Sequence, residues 1–343
     1  MTKPAKISIS FLLLIIVLFA AFIADILLGS VYIEPKTIIE NLLNGTIESD
    51  PIINDIILNF RLPKAITAIL CGASLATAGL LMQTLFRNPL AGPYVLGISS
   101  GASLGVAILV LAAGSSIIPA FLVFSGWGQV IAAIIGASLI LMLVLGTSLK
   151  INDTVSLLIV GMMFGSLSGA VVNILQSISN PDALKIYIVW TMGSLSSVTW
   201  NYMYVMAPIL LFGMLISFSL QKKLNAMLLG ENYARGLGIS VFWTRLAIIF
   251  ATCLLAGAST AFTGPIAFIG IAVPHIIRGI FKTSDHRIIL PGCIIGGAAL
   301  LLICDIASQL PGTGYSLPIN SISAIVGAPI ILWVILKNKH LHI

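Results

Sequence analysis

Long apolar segments separated by short polar loops make up most of this 343-residue chain. A helix needs about 20 apolar residues to cross a hydrocarbon layer of roughly 30 Å, so segments of this length predict membrane-spanning helices. Uninterrupted apolarity indicates ten such spans. They are residues 7–28, 64–83, 93–113, 128–148, 154–176, 202–220, 241–262, 266–280, 289–308 and 322–336.

The charge content excludes a water-soluble protein. Apolar residues make up 59% of the chain and charged residues 8%, whereas soluble domains carry about 25% charged residues. Disordered chains have the opposite composition. We therefore predict an all-α polytopic membrane protein in which residues 1–343 form a single transmembrane domain.

Two segments need separate interpretation. Residues 7–28 follow two lysines, as in a signal peptide, but the segment is longer than a normal signal core and has no clean cleavage site. We expect a retained helix there. Residues 184–200 are apolar but interrupted by glycine and serine. They predict a partial or interfacial helix, with Trp190 and Trp200 suited to the lipid headgroup level.

The distribution of cations predicts the orientation. With the N-terminus inside, the inner loops hold 13 of the 17 Lys and Arg residues. The positive-inside rule then places both termini in the cytoplasm, with an even number of spans. The net charge of +6 follows from this distribution and gives no reason to expect nucleic-acid binding.

Small residues recur at helical spacing in two spans. Gly97, Gly101 and Gly105 lie four residues apart, and Gly161 and Gly165 repeat this spacing. In lipid such a face allows two helix backbones to approach closely. Together with nearby hydroxyl residues, the same face could also line a translocation pathway. These hydroxyl residues are Ser99, Ser100, Ser103, Ser166 and Ser168.

Common catalytic and nucleotide-binding motifs are absent from the sequence or out of context. Residues 97–101 match G-x-S-x-G formally, but they open a membrane helix instead of a strand–turn–helix elbow. The chain has no P-loop, so any ATP must be bound by a partner subunit. The cysteines form no CxxC pair, and His275 and His286, eleven residues apart, are weak evidence for a metal site. We therefore expect no catalytic residues, metal or cofactor.

Polar residues at the predicted span ends are candidate contact points. Arg61 and Lys64 precede the second span on the outer side, where they could dock an acidic partner or anchor the interface by snorkelling. Residues 87–93 contain two prolines and predict a rigid inner turn, either a gate or a plain loop. Asp305, near the outer end of the ninth span, is either functional or a solvated helix end.

The longest inner loop, residues 224–239, contains two short helical stretches punctuated by glycine. Exposed Met and Leu side chains on such helices suit docking in a groove of a cytoplasmic protein, although a plain surface loop is the alternative. Glu231 and Arg235 are spaced to form an ion pair within one helix.

Residues 61–105, 228–238 and 264–292 resemble the hallmark segments of FecCD-type permeases, and the likeness extends over about residues 55–335. These permeases are the membrane subunits of ABC importers for ferric siderophores, haem and vitamin B12. The resemblance implies the type II ABC importer fold, with ten helices per subunit. It also implies a second copy or homologue of the permease, two cytoplasmic ATP-binding subunits and an extracytoplasmic substrate-binding protein.

The resemblance also implies residue roles. Arg61 and Lys64 would meet acidic residues of the binding protein; Lys64 stands where an Arg is frequent, which keeps the charge but loses bidentate geometry. Gln309 stands where some members have a further basic residue. The inner gate would comprise Asn88, Pro89, Leu90 and Thr154. The ATPase-coupling segment, about residues 222–240, would comprise Leu228, Leu229, Gly230, Glu231, Ala234, Arg235 and Gly238.

These features predict the permease of an ATP-driven importer for a ferric siderophore in the cytoplasmic (inner) membrane of a bacterium or archaeon. The chain itself would carry no enzymatic activity. The same machine carrying haem or cobalamin is the first alternative. An ion-coupled secondary transporter is less favoured. Such proteins usually place ionisable groups near mid-membrane, and this sequence places none there outside Asp305 and the span ends.

Overall fold

A computed structural model describes residues 3–29, 33–34, 51–111, 126–148, 150, 153–309 and 316–337. The described residues form helices joined by connecting segments, with no strand among them. The helices are α1 (Lys3–Leu27), α2 (Pro51–Leu85), α3 (Ile98–Leu111), α4 (Gly126–Ser148), α5 (Thr154–Ile178), α6 (Pro181–Thr191), α7 (Trp200–Ser219), α8 (Gln221–Leu228), α9 (Glu231–Gly236), α10 (Val241–Thr263), α11 (Ile269–Phe281), α12 (His286–Ser308) and α13 (Ile319–Lys337).

The helices match the predicted membrane spans. Seven are long and apolar enough to cross a membrane: α1, α2, α4, α5, α7, α10 and α12. Three shorter apolar helices are α3, α11 and α13. Each of the ten predicted spans falls on one of these helices, which confirms the all-α polytopic fold.

Two helices begin away from their predicted starts. α2 begins at Pro51, well before residue 64, and passes through a π-helical stretch at Ile56–Arg61. The third span was predicted from residue 93, but Pro93–Leu96 form a 3₁₀ turn. Gly97 then takes a left-handed conformation with φ of 73°, which ends that turn before α3 begins.

The interrupted segment at 184–200 contains a short helix, α6, and not a full span. Asn180 caps its N-terminus, because the side-chain oxygen accepts a hydrogen bond from Ala183 N at 2.8 Å. The helix ends at Thr191, and Gly193 turns the chain with φ of 73°. Trp200 begins α7 and donates from Nε1 to Leu58 O at 2.9 Å.

α2 is the central helix of the bundle, with 83% of its most apolar stretch buried. It packs against α7, α10, α11 and α12. Gly72 lies directly against the backbone of Gly297 in α12, and Gly79 against the backbone of Gly270 in α11. Side chains at these positions would separate the helices, so close backbone contact holds the core together.

α1 lies at the edge of the bundle, where it packs mainly on α12 and also on α2. Only 6% of its most apolar stretch is buried.

The two ends of α2 mark the two ends of the bundle. We name the end that holds Arg61 the Arg61 end and the opposite end the Thr84 end.

Candidate functional site

The predicted coupling segment forms α8 and α9 at the Thr84 end. Gly230 separates the two helices with φ of 116°, and Gly238 follows α9 with φ of 77°. These positive φ values favour glycine at both positions. Ala234 is buried, and its carbonyl accepts a hydrogen bond from Ile239 N at 3.0 Å. Leu229 is 65% exposed, so the segment presents an apolar side chain to its surroundings. The expectation of an exposed Met was wrong, because Met227 is 2% exposed.

Glu231, the first residue of α9, attaches that helix to the bundle. Its Oε1 lies 3.0 Å from Arg245 Nη2 in α10, whose side chain is 5% exposed. The predicted ion pair with Arg235 is also present, at 3.7 Å between Oε2 and Nη2. Arg235 is largely exposed, so the pair with buried Arg245 is the stronger attachment.

α8 is attached by a second set of polar contacts. Asn225 Nδ2 donates to Asp285 Oδ1 at 2.7 Å, and Asn225 Oδ1 accepts from His286 N at 2.8 Å. His286 Nδ1 also lies 2.8 Å from Asn225 Oδ1, and His286 Nε2 lies 2.8 Å from Thr84 Oγ1 in α2. These contacts join α8 to the first turn of α12 and the last turn of α2.

Asp285 also caps α12. Its Oδ1 accepts a hydrogen bond from Arg287 N at 2.9 Å, the usual N-cap arrangement. This backbone hydrogen bond, together with the one from Asn225, holds the pKa of the Asp285 carboxyl below its usual range. The carboxylate therefore stays ionised at neutral pH.

The predicted gate residues Asn88, Pro89 and Leu90 form a tight turn after α2. Asn88 N donates to Gln83 O at 3.2 Å, and Asn88 Oδ1 accepts from Leu90 N at 2.9 Å. Pro89 O lies 2.8 Å from His275 Nε2 in α11, which fixes the turn against that helix. Leu90 itself is 45% exposed.

Thr154, the other predicted gate residue, is the first residue of α5. The preceding Asp153 caps this helix, because its Oδ2 accepts hydrogen bonds from Ser156 N at 2.8 Å and from Ser156 Oγ at 2.7 Å. These hydrogen bonds hold the pKa of the Asp153 carboxyl below its usual range.

The predicted docking cations are both buried in the single chain. Arg61 is 5% exposed, and its Nη1 donates to Ile26 O at 2.7 Å and to Leu27 O at 3.1 Å. It thereby binds the last carbonyls of α1, groups that have no partner within their own helix. Lys64 is 7% exposed and pairs with Asp305, with 2.9 Å between Nζ and Oδ2.

A buried polar cluster surrounds this ion pair at the Arg61 end. Gln309 Nε2 donates to Asp305 Oδ2 at 3.0 Å and to Asp25 Oδ1 at 2.9 Å. The cluster therefore joins α1, α2 and the end of α12. Sequence reasoning singled out Asp305 and Gln309 but missed Asp25, whose signal was a lone carboxylate at the end of an apolar span.

The predicted small-residue faces lie where helices meet. Gly101 and Gly105 contact the backbone of α4 at Gly136 and Ala132 respectively. Gly97 faces Gly161 and Gly165 in α5; a Cβ atom at Gly97 would lie 2.9 Å from Gly161 O. Close helix contact is therefore part of what these glycines provide.

Three of the five predicted hydroxyl residues, those of α3, line a cavity of about 300 Å³ between α3, α5 and α6, whereas Ser166 and Ser168 do not line it. Its walls carry neutral hydroxyl and amide groups. They include Ser99, Ser100, Ser103, Asn173, Gln176 and Tyr187. No charged side chain lines this cavity in the part of the chain that the structure describes.

The described residues contain no group of three or more His, Cys, Asp or Glu side chains placed to hold a metal ion. Cys71, Cys253, Cys293 and Cys304 are free thiols and all are buried.

Comparison with known proteins places the chain among transport proteins. The model of the FecCD transport family matches residues 13–337. The chain is 36% identical to the vitamin B12 import system permease protein BtuC of Salmonella paratyphi A, over 81% of this chain and 82% of that protein. It is 37% identical to BtuC of Photorhabdus laumondii subsp. laumondii, over 81% of each chain.

Two solved transporter structures also resemble this chain. One is a metal-chelate type ABC transporter in an inward-facing conformation, which is 28% identical in sequence. The match has a TM-score of 0.83 and covers 96% of this chain and 99% of the transporter chain. The other is PsaBC of Streptococcus pneumoniae, which is 17% identical and shares the fold, with a TM-score of 0.51. That match covers 82% of this chain and 94% of the PsaBC chain. The chain belongs to the FecCD transport family of ABC importer permeases.

Proposed function

We propose that this chain forms the membrane pathway of an ATP-driven importer for a metal ion held in a bulky organic chelator, with ferric siderophores as the first candidate cargo. The observation that carries the ATP-driven part of the proposal is the α8–α9 segment, and the metal-chelate cargo is proposed from the similarity to a metal-chelate type transporter. It is anchored to the bundle on one side and presents exposed apolar residues on the other. Such a surface suits insertion into a groove of a cytoplasmic ATPase.

The partners follow from two surfaces. A polar cavity of about 420 Å³ lies beside the coupling segment, between it and the end of α2, and could receive part of an ATPase subunit. α5 packs on α3 and α4 but is largely exposed within one chain, with 22% of its most apolar stretch buried and with Met163 65%, Leu167 63% and Ile174 62% exposed. Exposed Ser166 and Asn173 interrupt this apolar face, which suits a second permease better than lipid alone.

In the proposed orientation the Thr84 end faces the cytoplasm and the Arg61 end faces outward, in the inner membrane of a bacterium or archaeon. Both termini are then cytoplasmic, as the cation distribution predicts. ATP binds to the partner ATPase subunits, and this chain needs no cofactor of its own. The turn at Asn88, Pro89 and Leu90, with Thr154, serves as the inner gate.

Docking of the substrate-binding protein at Arg61 and Lys64 remains part of the proposal, with a condition. Both cations are buried and already have internal partners, so a carboxylate of the binding protein would need access to Lys64 and would compete with Asp305 for it. Such an exchange would connect docking to the packing of α2 against α12.

Vitamin B12 is the second candidate cargo, because the relatives at 36% and 37% identity carry that name. The neutral hydroxyl and amide groups between α3, α5 and α6 would form part of the pathway wall for either cargo, since a cavity of about 300 Å³ within one chain does not enclose a bulky chelate or cobalamin. The binding protein would then supply most of the selectivity.

Uptake assays in cells with and without this chain test the proposal. Labelled ferric siderophores, cobalamin and haem are offered in parallel, with ATP depletion in one arm and an uncoupler in another. Loss of one cargo in the cells that lack the chain, with dependence on ATP, would support the importer and name its cargo. Uptake that persists without ATP but stops with the uncoupler would contradict it in favour of ion-coupled transport.

A further inference from the structure

α2, α8 and α12 meet at one buried histidine at the Thr84 end. His286 is 1% exposed and begins α12. Its ring contacts Thr84 at the end of α2 and Asn225 in α8, each at 2.8 Å. The polar joint comprises Thr84, Asn225, Asp285 and His286.

The hydrogen bonds of the polar joint have a defined direction. Asn225 Nδ2 donates to the Asp285 carboxylate, which leaves Asn225 Oδ1 as the acceptor for both His286 N and His286 Nδ1. His286 Nδ1 therefore carries a proton, and Nε2 of the neutral ring accepts from the Thr84 hydroxyl. Asp285 thus fixes the orientation of Asn225, which fixes that of His286.

Thr84 can be held in two ways. Its Oγ1 lies 2.9 Å from Leu80 O in its own helix and 2.8 Å from His286 Nε2. A hydroxyl has one proton, so it can donate to only one of these acceptors at a time. The contact between α2 and α12 can therefore form or break without leaving the hydroxyl unpaired, which suits a joint that changes state.

The last turn of α2 is also connected to the gate turn, the turn after α2 that contains Asn88, Pro89 and Leu90. Gln83 Oε1 accepts from Arg278 Nη1 at 2.6 Å, and Gln83 O accepts from Asn88 N at 3.2 Å. His275, one turn before Arg278 in α11, contacts Pro89 O. A shift of α8 that moves His286 and Thr84 would therefore also move Gln83 and the turn.

We propose that Asn225 and His286 are positioning residues that pass movement of the coupling segment to α2, α12 and the gate turn. This inference rests on the proposed function, because it requires an ATPase that moves the segment. Leu224 and Met227 of α8 are also buried, so the segment has apolar contacts with the bundle in addition to the polar joint.

A cysteine reporter at the gate turn tests the inference. Leu90→Cys places an accessible thiol in the turn, while the four native cysteines are buried and give little background. The complex with its co-purifying ATPase subunits is prepared in inside-out vesicles. The labelling rate with a membrane-impermeant maleimide is measured with and without ATP and vanadate, and ATP hydrolysis is measured in parallel.

The expected result is a separation of ATP hydrolysis from movement of the turn. In L90C the labelling rate should respond to ATP, and adding Asn225→Leu should reduce that response at least about fivefold, the lower range of typical coupling effects. Hydrolysis and the amount of co-purified ATPase should persist. The glutamine side chain in L90C/H286Q can still donate and accept hydrogen bonds. This variant should therefore keep most of the ATP response that L90C/H286A loses.

Ser217→Ala is the matched control, because Ser217 is buried and its hydroxyl donates to Gly213 O within its own helix, with no other hydrogen bond among the described residues. It should leave the ATP response of L90C unchanged. Thr84→Val, a milder change in the joint, should reduce the response if the larger substitutions prevent assembly.

The results separate the inference from the proposed function. No response to ATP in L90C itself would contradict the proposed function and overturn the inference with it. Equal responses in L90C, L90C/N225L and L90C/T84V would overturn the inference alone. Loss of the ATPase from the N225L complex, with a normal response in T84V, would also overturn it, because Asn225 would then act in docking.

Discussion

Replacing Lys64 with methionine should destabilise the protein strongly for a single substitution. Lys64 Nζ lies 2.9 Å from Asp305 Oδ2, and the two side chains are 8% and 5% exposed. Removal of one partner from a buried ion pair leaves an uncompensated charge and typically costs about 3–5 kcal/mol. Asp305 keeps the hydrogen bond from Gln309 at 3.0 Å, so we expect about 3 kcal/mol, the lower end of that range.

The double variant Lys64→Met/Asp305→Leu should recover most of this loss. Replacing both members of a buried pair with apolar side chains is often neutral or stabilising. We expect the double variant to lie within about 1 kcal/mol of the parent, because Gln309 retains its bond to Asp25. The two substitutions together are therefore expected to be milder than either alone.

Lys64→Met, Asp305→Leu and the double variant are compared by their free energies of unfolding in mixed micelles. These are measured by tryptophan fluorescence during titration with a denaturing detergent. Lys185→Met is the control, since Lys185 is an exposed lysine of α6. It should change stability by no more than about 0.5 kcal/mol. A loss below about 1 kcal/mol for Lys64→Met, as for a surface pair, would refute the reasoning. A double variant as unstable as the sum of the singles would also refute it.

Three further predictions concern docking, capping and helix contact. If Lys64 docks the binding protein, the stable Lys64→Met/Asp305→Leu variant should bind it more weakly in a surface-binding assay while ATP hydrolysis continues; unchanged affinity would exclude that role. Asp285→Ala should destabilise α12 by about 1 kcal/mol through loss of its N-cap. The pKa of Asp285 is lowered in the folded protein, so its contribution to stability should be present at neutral pH and disappear as the pH falls through that pKa. In thermal unfolding scans from pH 7 to acid, the unfolding temperature of the parent should therefore approach that of Asp285→Ala. Gly105→Leu should disrupt packing of α3 against Ala132 in α4 and lower the yield of folded protein, whereas Gly146→Leu, with nothing within 4 Å of its Cβ position, should be tolerated.

The features that depend on neighbouring residues were predictable from the sequence. Apolarity alone located ten helices, because each span is long enough to be identified within one segment. The spacing of Glu231 and Arg235 predicted their ion pair, which is present at 3.7 Å. Glycines four residues apart predicted close helix contact, and the structure places Gly101 and Gly105 against α4.

The features that depend on distant parts of the chain were not predictable. The stronger partner of Glu231 is Arg245, on a different helix. Lys64 was expected to face outward, since nothing near it in sequence shows that Asp305 packs beside it. The central position of His286 also arises from α2, α8 and α12 meeting in space, which hydropathy does not encode.

The bond between Gln309 and Asp25 has a consequence for how the protein is made. The two residues lie 284 positions apart, and synthesis proceeds at roughly 5–20 residues per second. Asp25 therefore enters the membrane on α1 tens of seconds before its amide partner has been synthesised. A carboxyl group in lipid is costly during that interval, so the C-terminal end of α1 should reach its final position only after α12 has been inserted.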